Sequence, residues 1–198
     1  MRILLVGANG TIGKAVAAEL CGPHEIVTAG RSSGDLRVNI ADPASVREMF
    51  ASLGTVGAVA CAAGNVHFGP LANMTAEEFN VGLRDKLMGQ INLVIEGRSA
   101  VEPGGSFTLI SGVLSHDPIR YGVSASLVNA AIDAFVRAAA IELAPIRINA
   151  VSPSVLEESM DAFGAYFRGF EPVPARRVAL AYVKSIEGAQ TGQVYGVL

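Results

Sequence analysis

Residues 2–13 read Arg2-Ile3-Leu4-Leu5-Val6-Gly7-Ala8-Asn9-Gly10-Thr11-Ile12-Gly13. An apolar run led by one charge stops at a glycine-punctuated turn, and the sequence resumes as a helix. A strand feeding such a turn into a helix N-terminus makes an anion site. The first N–H groups of the helix lack intrahelical partners, and the helix dipole adds partial positive charge there. Gly7 permits a sharp turn, Gly10 lets a pyrophosphate approach the backbone, and Gly13 lets the helix lie close on the strand. The spacing G-x-x-G-x-x-G directly after a first strand predicts a dinucleotide loop, with Asn9, Thr11 and Ile12 beside the glycines.

Outward from this loop the strand-then-helix rhythm repeats. The predicted strands are Ile3–Val6, Glu25–Thr28, Leu36–Ile40, Ala58–Cys61, Ser106–Ser111, Arg147–Val151 and Gln193–Val197. Between them the pattern predicts helices over Thr11–Leu20, Pro43–Leu53, Ala76–Ala100, Ala125–Leu143 and Ala175–Ile186. Pro43 and Thr75 stand where helix starts favour a first-position proline or a hydroxyl cap. This alternation implies an α/β domain with a doubly wound parallel sheet of about seven strands, Rossmann-like, with helices on both faces. Gly30 to Leu36 leaves no room for a crossover helix, which normally takes at least ~10 residues. An extended return through Ser32 to Asp35 is expected instead, so one flanking helix is missing.

Bulk properties narrow the class. At 198 residues a single domain, 1–198, is expected, large enough to bury a core. With 51% hydrophobic and only 17% charged residues, the chain is not built for disorder. A net charge of −3 argues against a nucleic-acid surface. No apolar run reaches the ~18 residues of a membrane span, and the ILLV stretch is too short for a secretory core. Cys21 and Cys61 lack metal or redox spacing, which fits a reducing cytoplasm, and no metal is expected.

Several motifs in order resemble the short-chain dehydrogenase/reductase family over nearly the whole chain. GANGTIG (7–13) resembles its nucleotide loop, and Cys61-Ala62-Ala63-Gly64 its NNAG stretch, followed by Gly69-Pro70-Leu71. Arg147 to Pro153, RINAVSP, is similar to IRVNAVSPG with Ser154 in place of the glycine, and Thr191-Gly192-Gln193 resembles the TGQ before the last strand. The resemblance implies a nicotinamide cofactor and the reduction of carbonyls. It brings Ala62, Ala63 and Gly64 to the cofactor, and Asn39-Ile40 to the place of the acid–aliphatic pair that flanks adenine. At the tip of the second strand stands Ala29-Gly30-Arg31-Ser32, where NAD enzymes usually carry a carboxylate. Arg31 could pair bidentately with a 2′-phosphate, and Ser32 could add a hydroxyl, so NADP(H) is the expected cofactor. The competing reading of Arg31 is a solvated loop charge.

The family's Asn-Ser-Tyr-Lys set is absent. Aligning 125–143 on its YxxxK helix puts Ala125 at the Tyr and Asn129 at the Lys. The Ser position falls on Gly112 and the Asn position on Lys86. Losing a positioned general acid typically costs ~10²–10⁴-fold in rate. Three replacements are candidates. Tyr121 has the right phenol but lies about one helical turn, roughly 5 Å, from the Tyr position, and its competing reading is a tyrosine packed under the loop. Ser111 adjoins the Ser position, although on a continuing strand it would face the other way. Lys86 could stabilise or protonate an oxyanion, or be a surface lysine paired with Asp85. His116 and Asp117 fall in the loop after the fifth strand, and Cys61 reads as a buried small hydrophobe.

Three functions stay open: an NADP(H)-dependent oxidoreductase on a small carbonyl or alcohol with relocated acid–base groups, an NADP(H)-binding sensor or pseudoenzyme without turnover, and a lyase or isomerase. Small residues along 125–143 and the family's habits imply a homodimer or homotetramer. The aromatic segment 155–174 reads as a short lid or satellite core.

Overall fold

A computed structural model describes residues 1–198. Seven parallel strands form one sheet, in the order β3-β2-β1-β4-β5-β6-β7. The strands are β1 (Arg2–Val6), β2 (Glu25–Gly30), β3 (Leu36–Arg37), β4 (Val56–Cys61), β5 (Val101–Ile110), β6 (Arg147–Pro153) and β7 (Val194–Val197). The helices are α1 (Thr11–Leu20), α2 (Pro43–Leu53), α3 (Ala76–Gly82), α4 (Gly89–Gly97), α5 (Val123–Glu142), the short α6 (Met160–Phe163) and α7 (Ala175–Glu187).

Strand alternation sorts the core into two layers. Leu4 and Val6 of β1 join Val59 and Cys61 of β4 beneath α2, α4 and α5, with Phe50, Leu93, Val128 and Ile132 packed there. Ile3 and Leu5 join Ala58 and Ala60 on the opposite face, under α1 and α7. Both faces are covered, so β1 is apolar throughout rather than alternating. The β2–β3 connection has no helix, as its length predicts, and the two strands pair in parallel through Ala29↔Leu36 and Gly30↔Arg37. Asp35 accepts from the Thr28 N–H at 2.9 Å and its hydroxyl at 2.7 Å, which fixes the return. Asp42 and Thr75 cap α2 and α3, Thr75 in a capping box with Glu78.

Several element bounds differ from expectation. β3 has two residues rather than five: beyond Arg37 the chain turns at Asn39 toward the Asp42 cap, with the Asn39 N–H donated to Ser45 Oγ. β5 starts at Val101 across the register shift that Pro103-Gly104-Gly105 introduces, and it ends at Ile110, so Ser111 lies past the strand. The helix expected over 76–100 is interrupted: Leu83–Met88 form a π-helical turn, and the helix stops at Gly97, which packs against Phe50. α5 begins two residues early and has 20 residues, long and apolar enough by length and composition to cross a membrane, contrary to the reading that no segment is. Here its Ala125, Val128, Ile132 and Val136 are buried in the fold, and Asp133 and Arg137 interrupt its apolar run.

The connectivity reverses direction beside β1, which pairs with β2 on one side and β4 on the other. At such a switch point the loops leaving the strand ends diverge and open a crevice. Tyr182 of α7 pins its floor by donating to the Cys61 carbonyl at 2.6 Å.

A cleft with a backbone-lined half and a lysine-centred half

Gly7 leaves β1 with φ 85°, and a Cβ there would meet the Ala62 carbonyl oxygen at 2.8 Å. A Cβ on Gly13 would collide with the Gly7 carbonyl, so glycine is what seats α1 against the turn. Gly10 caps α1 with no side-chain hydrogen bond, leaving the first-turn N–H groups to face a groove of about 360 Å³. Of the residues expected to hold a dinucleotide, Gly7, Gly10, Arg31, Ile40, Ala62, Ala63 and Gly64 line this groove. Others stand elsewhere. Ile12 lines the adjoining cleft and Asn39 an outer polar cavity of about 600 Å³. Thr11 is exposed at the start of α1. Asn9 is exposed and donates its amide to Ser33 Oγ. Ser32 is exposed and lines none of these cavities; the hydroxyl bonded to the loop is that of Ser33.

Arg31 is neither free in solvent nor bound to its neighbours. Its guanidinium donates to Asp85 Oδ1 at 3.1 Å. Asp85 Oδ2 also accepts from the Asn65 backbone N–H at 3.1 Å and side-chain amide at 2.6 Å. The carboxylate on which sequence reasoning could seat Lys86 is thus taken by Arg31 and Asn65.

Ala62, Ala63 and Gly64 form the shared wall between this groove and a second cleft of about 270 Å³. Lys86, Gly112, Ala125 and Asn129 all line that second cleft, so the four substituted positions converge in space. Lys86 comes from the π turn, and its ammonium donates to the Ser111 carbonyl at 2.9 Å and to Asn129 Oδ1 at 2.7 Å. Gly64 leaves room for the lysine stem, since a Cβ there would lie 2.6 Å from Lys86 Cγ. Gly112 does the same for Asn129, whose Nδ2 would be 2.8 Å from an added Cβ. Lys86 of the π turn and Asn129 of α5 thus meet across the cleft as a hydrogen-bonded ammonium–amide pair.

Burial pushes the Lys86 ammonium down to about 8, against weaker support from Asp133. Such a group is mainly charged at neutral pH yet can release its proton within reach of it. Ser111 is buried and lines the cleft, because the strand that would have turned it away has already ended; its hydroxyl lies 3.5 Å from the Val151 carbonyl. Gln90, fully buried, braces the site. It accepts from the Ile110 N–H at 2.8 Å and donates to the Ile110 carbonyl at 2.9 Å and the Lys86 carbonyl at 3.1 Å. Sequence reading places Asn129 at the Lys position without a partner and Asp85 beside Lys86; the bonds Asn129–Lys86 and Asp85–Arg31, and the brace Gln90, arise only from long-range folding.

Tyr121 is packed apart from the lysine cleft. It sits at φ 69°, beneath the Arg120 guanidinium and 6.0 Å from the Tyr166 ring, and lines a separate aromatic cavity with Phe68, Ile119 and Phe163. It does not line the lysine cleft. His116 is exposed, with Nδ1 2.8 Å from Ser115 Oγ. Burial pushes the Cys61 thiol up to about 12, so it stays protonated and inert. Phe167 of the aromatic segment is buried and closes one side of the lysine cleft.

Known proteins share this architecture. Residues 9–197 match the family described as Enoyl-(Acyl carrier protein) reductase. Versicolorin reductase 1 of Aspergillus parasiticus is 30% identical over 147 residues, 69% of this chain and 55% of that protein, so the chain spans about half of that relative's length. The protein lin1944 of Listeria innocua superimposes with a TM-score of 0.98 at 48% identity over 100% of both chains. A small-chain dehydrogenase solved in complex with NADPH gives a TM-score of 0.89 at 26% identity, covering 100% of this chain and 96% of that one.

Proposed function

Because the chain belongs to the short-chain dehydrogenase/reductase family of oxidoreductases, we propose that it reduces a small, largely apolar carbonyl compound with NADP(H), Lys86 supplying the proton. The observation that carries this reading is the ammonium of Lys86 in a cleft separated from the glycine groove only by Ala62–Gly64.

The groove fits a dinucleotide on its own terms. Uncapped N–H groups at α1 would take the pyrophosphate, and Gly7 keeps clear the space that a Cβ would fill. Arg31 would take a 2′-phosphate, and Ile40 and Ala63 would flank the base. The bound nicotinamide supplies the hydride. Everything else falls to side chains. The cleft beyond Gly64 is mostly hydrophobic, and Lys86 is the one charged side chain lining it, which favours a neutral substrate. Its ammonium would hold the carbonyl oxygen, stabilise the charge that develops there and give up a proton. Asn129 and the Ser111 carbonyl aim the ammonium, a task they perform without being charged themselves.

NADP(H) binding without turnover is the second reading, favoured by Ala125, which leaves no phenol at the Tyr position. The two separate in one assay. NADPH with a panel of apolar ketones should show absorbance loss above the enzyme-free rate; tight NADPH binding with no turnover on any ketone would select the second reading. We also propose a homodimer or homotetramer through the outer faces of α4 and α5, where Ile95 and Ile141 are exposed. Sedimentation showing only monomer would reject it.

A further inference from the structure

The π turn presents two consecutive charges to two different cavities: Lys86 to the lysine cleft and Asp85 to the nucleotide groove. Asp85 has no part in the chemistry above. It is nevertheless the one carboxylate lining a groove that is expected to receive a phosphorylated ligand. We propose that Asp85 is a specificity-determining residue that competes with the cofactor's 2′-phosphate for Arg31 and so sets the preference for the phosphorylated over the unphosphorylated dinucleotide. The inference rests on the NADP(H) reading.

The two partners are held very differently. Asp85 has a side chain only 14% exposed and is fixed by two hydrogen bonds from Asn65, whereas the Arg31 side chain is 64% exposed and has no other hydrogen-bond partner. When the pair opens, it is therefore Arg31 that moves. The pair spans the groove from the tip of β2 to the π turn, and both residues, with Asn65, also line the outer polar cavity. It thus forms a strap between the two spaces. A 2′-phosphate that recruits Arg31 must part it, offering Arg31 a doubly charged, bidentate partner in exchange. A ribose with a free hydroxyl makes no such exchange and leaves the pair closed, so the competition bears on the phosphorylated form. Asp85 meanwhile remains as a fixed negative charge near the incoming phosphate, which limits the affinity gained.

Asp85→Asn keeps the shape and the Asn65 contacts while removing the charge. Direct titration of NADPH and NADH, without substrate, into wild type, Asp85→Asn, Arg31→Met and the double variant provides the test, with melting curves confirming folding. NADPH should bind Asp85→Asn about three- to tenfold more tightly than wild type, the size of a freed exposed ion pair plus one screened like charge. NADH should change by less than about twofold, and added salt should narrow the NADPH difference. In the Arg31→Met background the ion-pair share of the Asp85→Asn gain should vanish, leaving only the screened like-charge share, less than about twofold. An unchanged or reduced NADPH-to-NADH ratio in Asp85→Asn, with Arg31→Met still costing NADPH affinity, would overturn the competition and leave the cofactor reading standing. Binding of neither dinucleotide by folded wild type would overturn both.

Discussion

Along the nucleotide groove the wall is backbone and small side chains, from Gly7 and Gly10 across to Ala62–Gly64. Around Lys86 it is long side chains that meet: an ammonium, an amide and a bracing glutamine. Backbone N–H groups recognise a pyrophosphate whatever the neighbouring side chains are, so the first half tolerates little change in shape. The second half joins an ammonium and an amide across the cleft by a side-chain hydrogen bond. Geometry is the constraint on one side of Gly64, and side-chain chemistry is the constraint on the other.

The largest effect is expected where shape matters most. Gly13→Val drives a branched side chain into the Gly7 carbonyl; it should cost about 3 kcal/mol of stability in chemical denaturation and at least ~100-fold in NADPH affinity by titration, since the loop that presents the N–H groups must move. On the other side, Gln90→Leu leaves the buried Ile110 N–H unpaired and should cost about 1–3 kcal/mol, lowering turnover more than NADPH affinity; equal loss of both would erase the distinction between the halves.

A pH profile comes next in size. Lys86 must be protonated to act as the acid, and burial holds it at about 8. Reductive kcat/KM should therefore be level below that pH and fall about tenfold per unit above it, while NADPH affinity follows no such step. The smallest effect belongs to Tyr121→Phe. Its phenol lines the aromatic cavity rather than the lysine cleft, so kcat should stay within about twofold; a larger loss would move the proton donor away from Lys86.

What could be read in advance divides along the same line. Arg2–Gly13, the strand–helix alternation and the short Gly30–Leu36 link carry the doubly wound parallel class and the missing crossover helix, because local propensity, period and link length report them directly. The glycine spacing likewise announces the nucleotide groove. Hidden from such reading was the π turn at Leu83–Met88, since apolar spacing does not reveal a change in hydrogen-bond register. Both Asp85 and Lys86 lie on that turn, each lining a different cavity. The same blindness applies to Arg31, whose partner lies 54 positions away, and to Asn129, whose bond to Lys86 exists only once α5 has packed beside the π turn. For Ser111 only the strand bound is off, by a single residue: β5 ends at Ile110, which leaves Ser111 lining the cleft. Tyr121 shows the converse: nearness in sequence to the Tyr position did not carry it into the cleft.

Lys86 is proposed to give the proton in a cleft beside the groove that would hold the cofactor. Steady-state ketone reduction by Lys86→Met, alongside direct NADPH titration of the same protein, tests this role most directly. The expected result is a kcat lower by about 10²–10⁴-fold with an NADPH dissociation constant within about twofold of wild type. A variant that reduces ketones at the wild-type rate would contradict it.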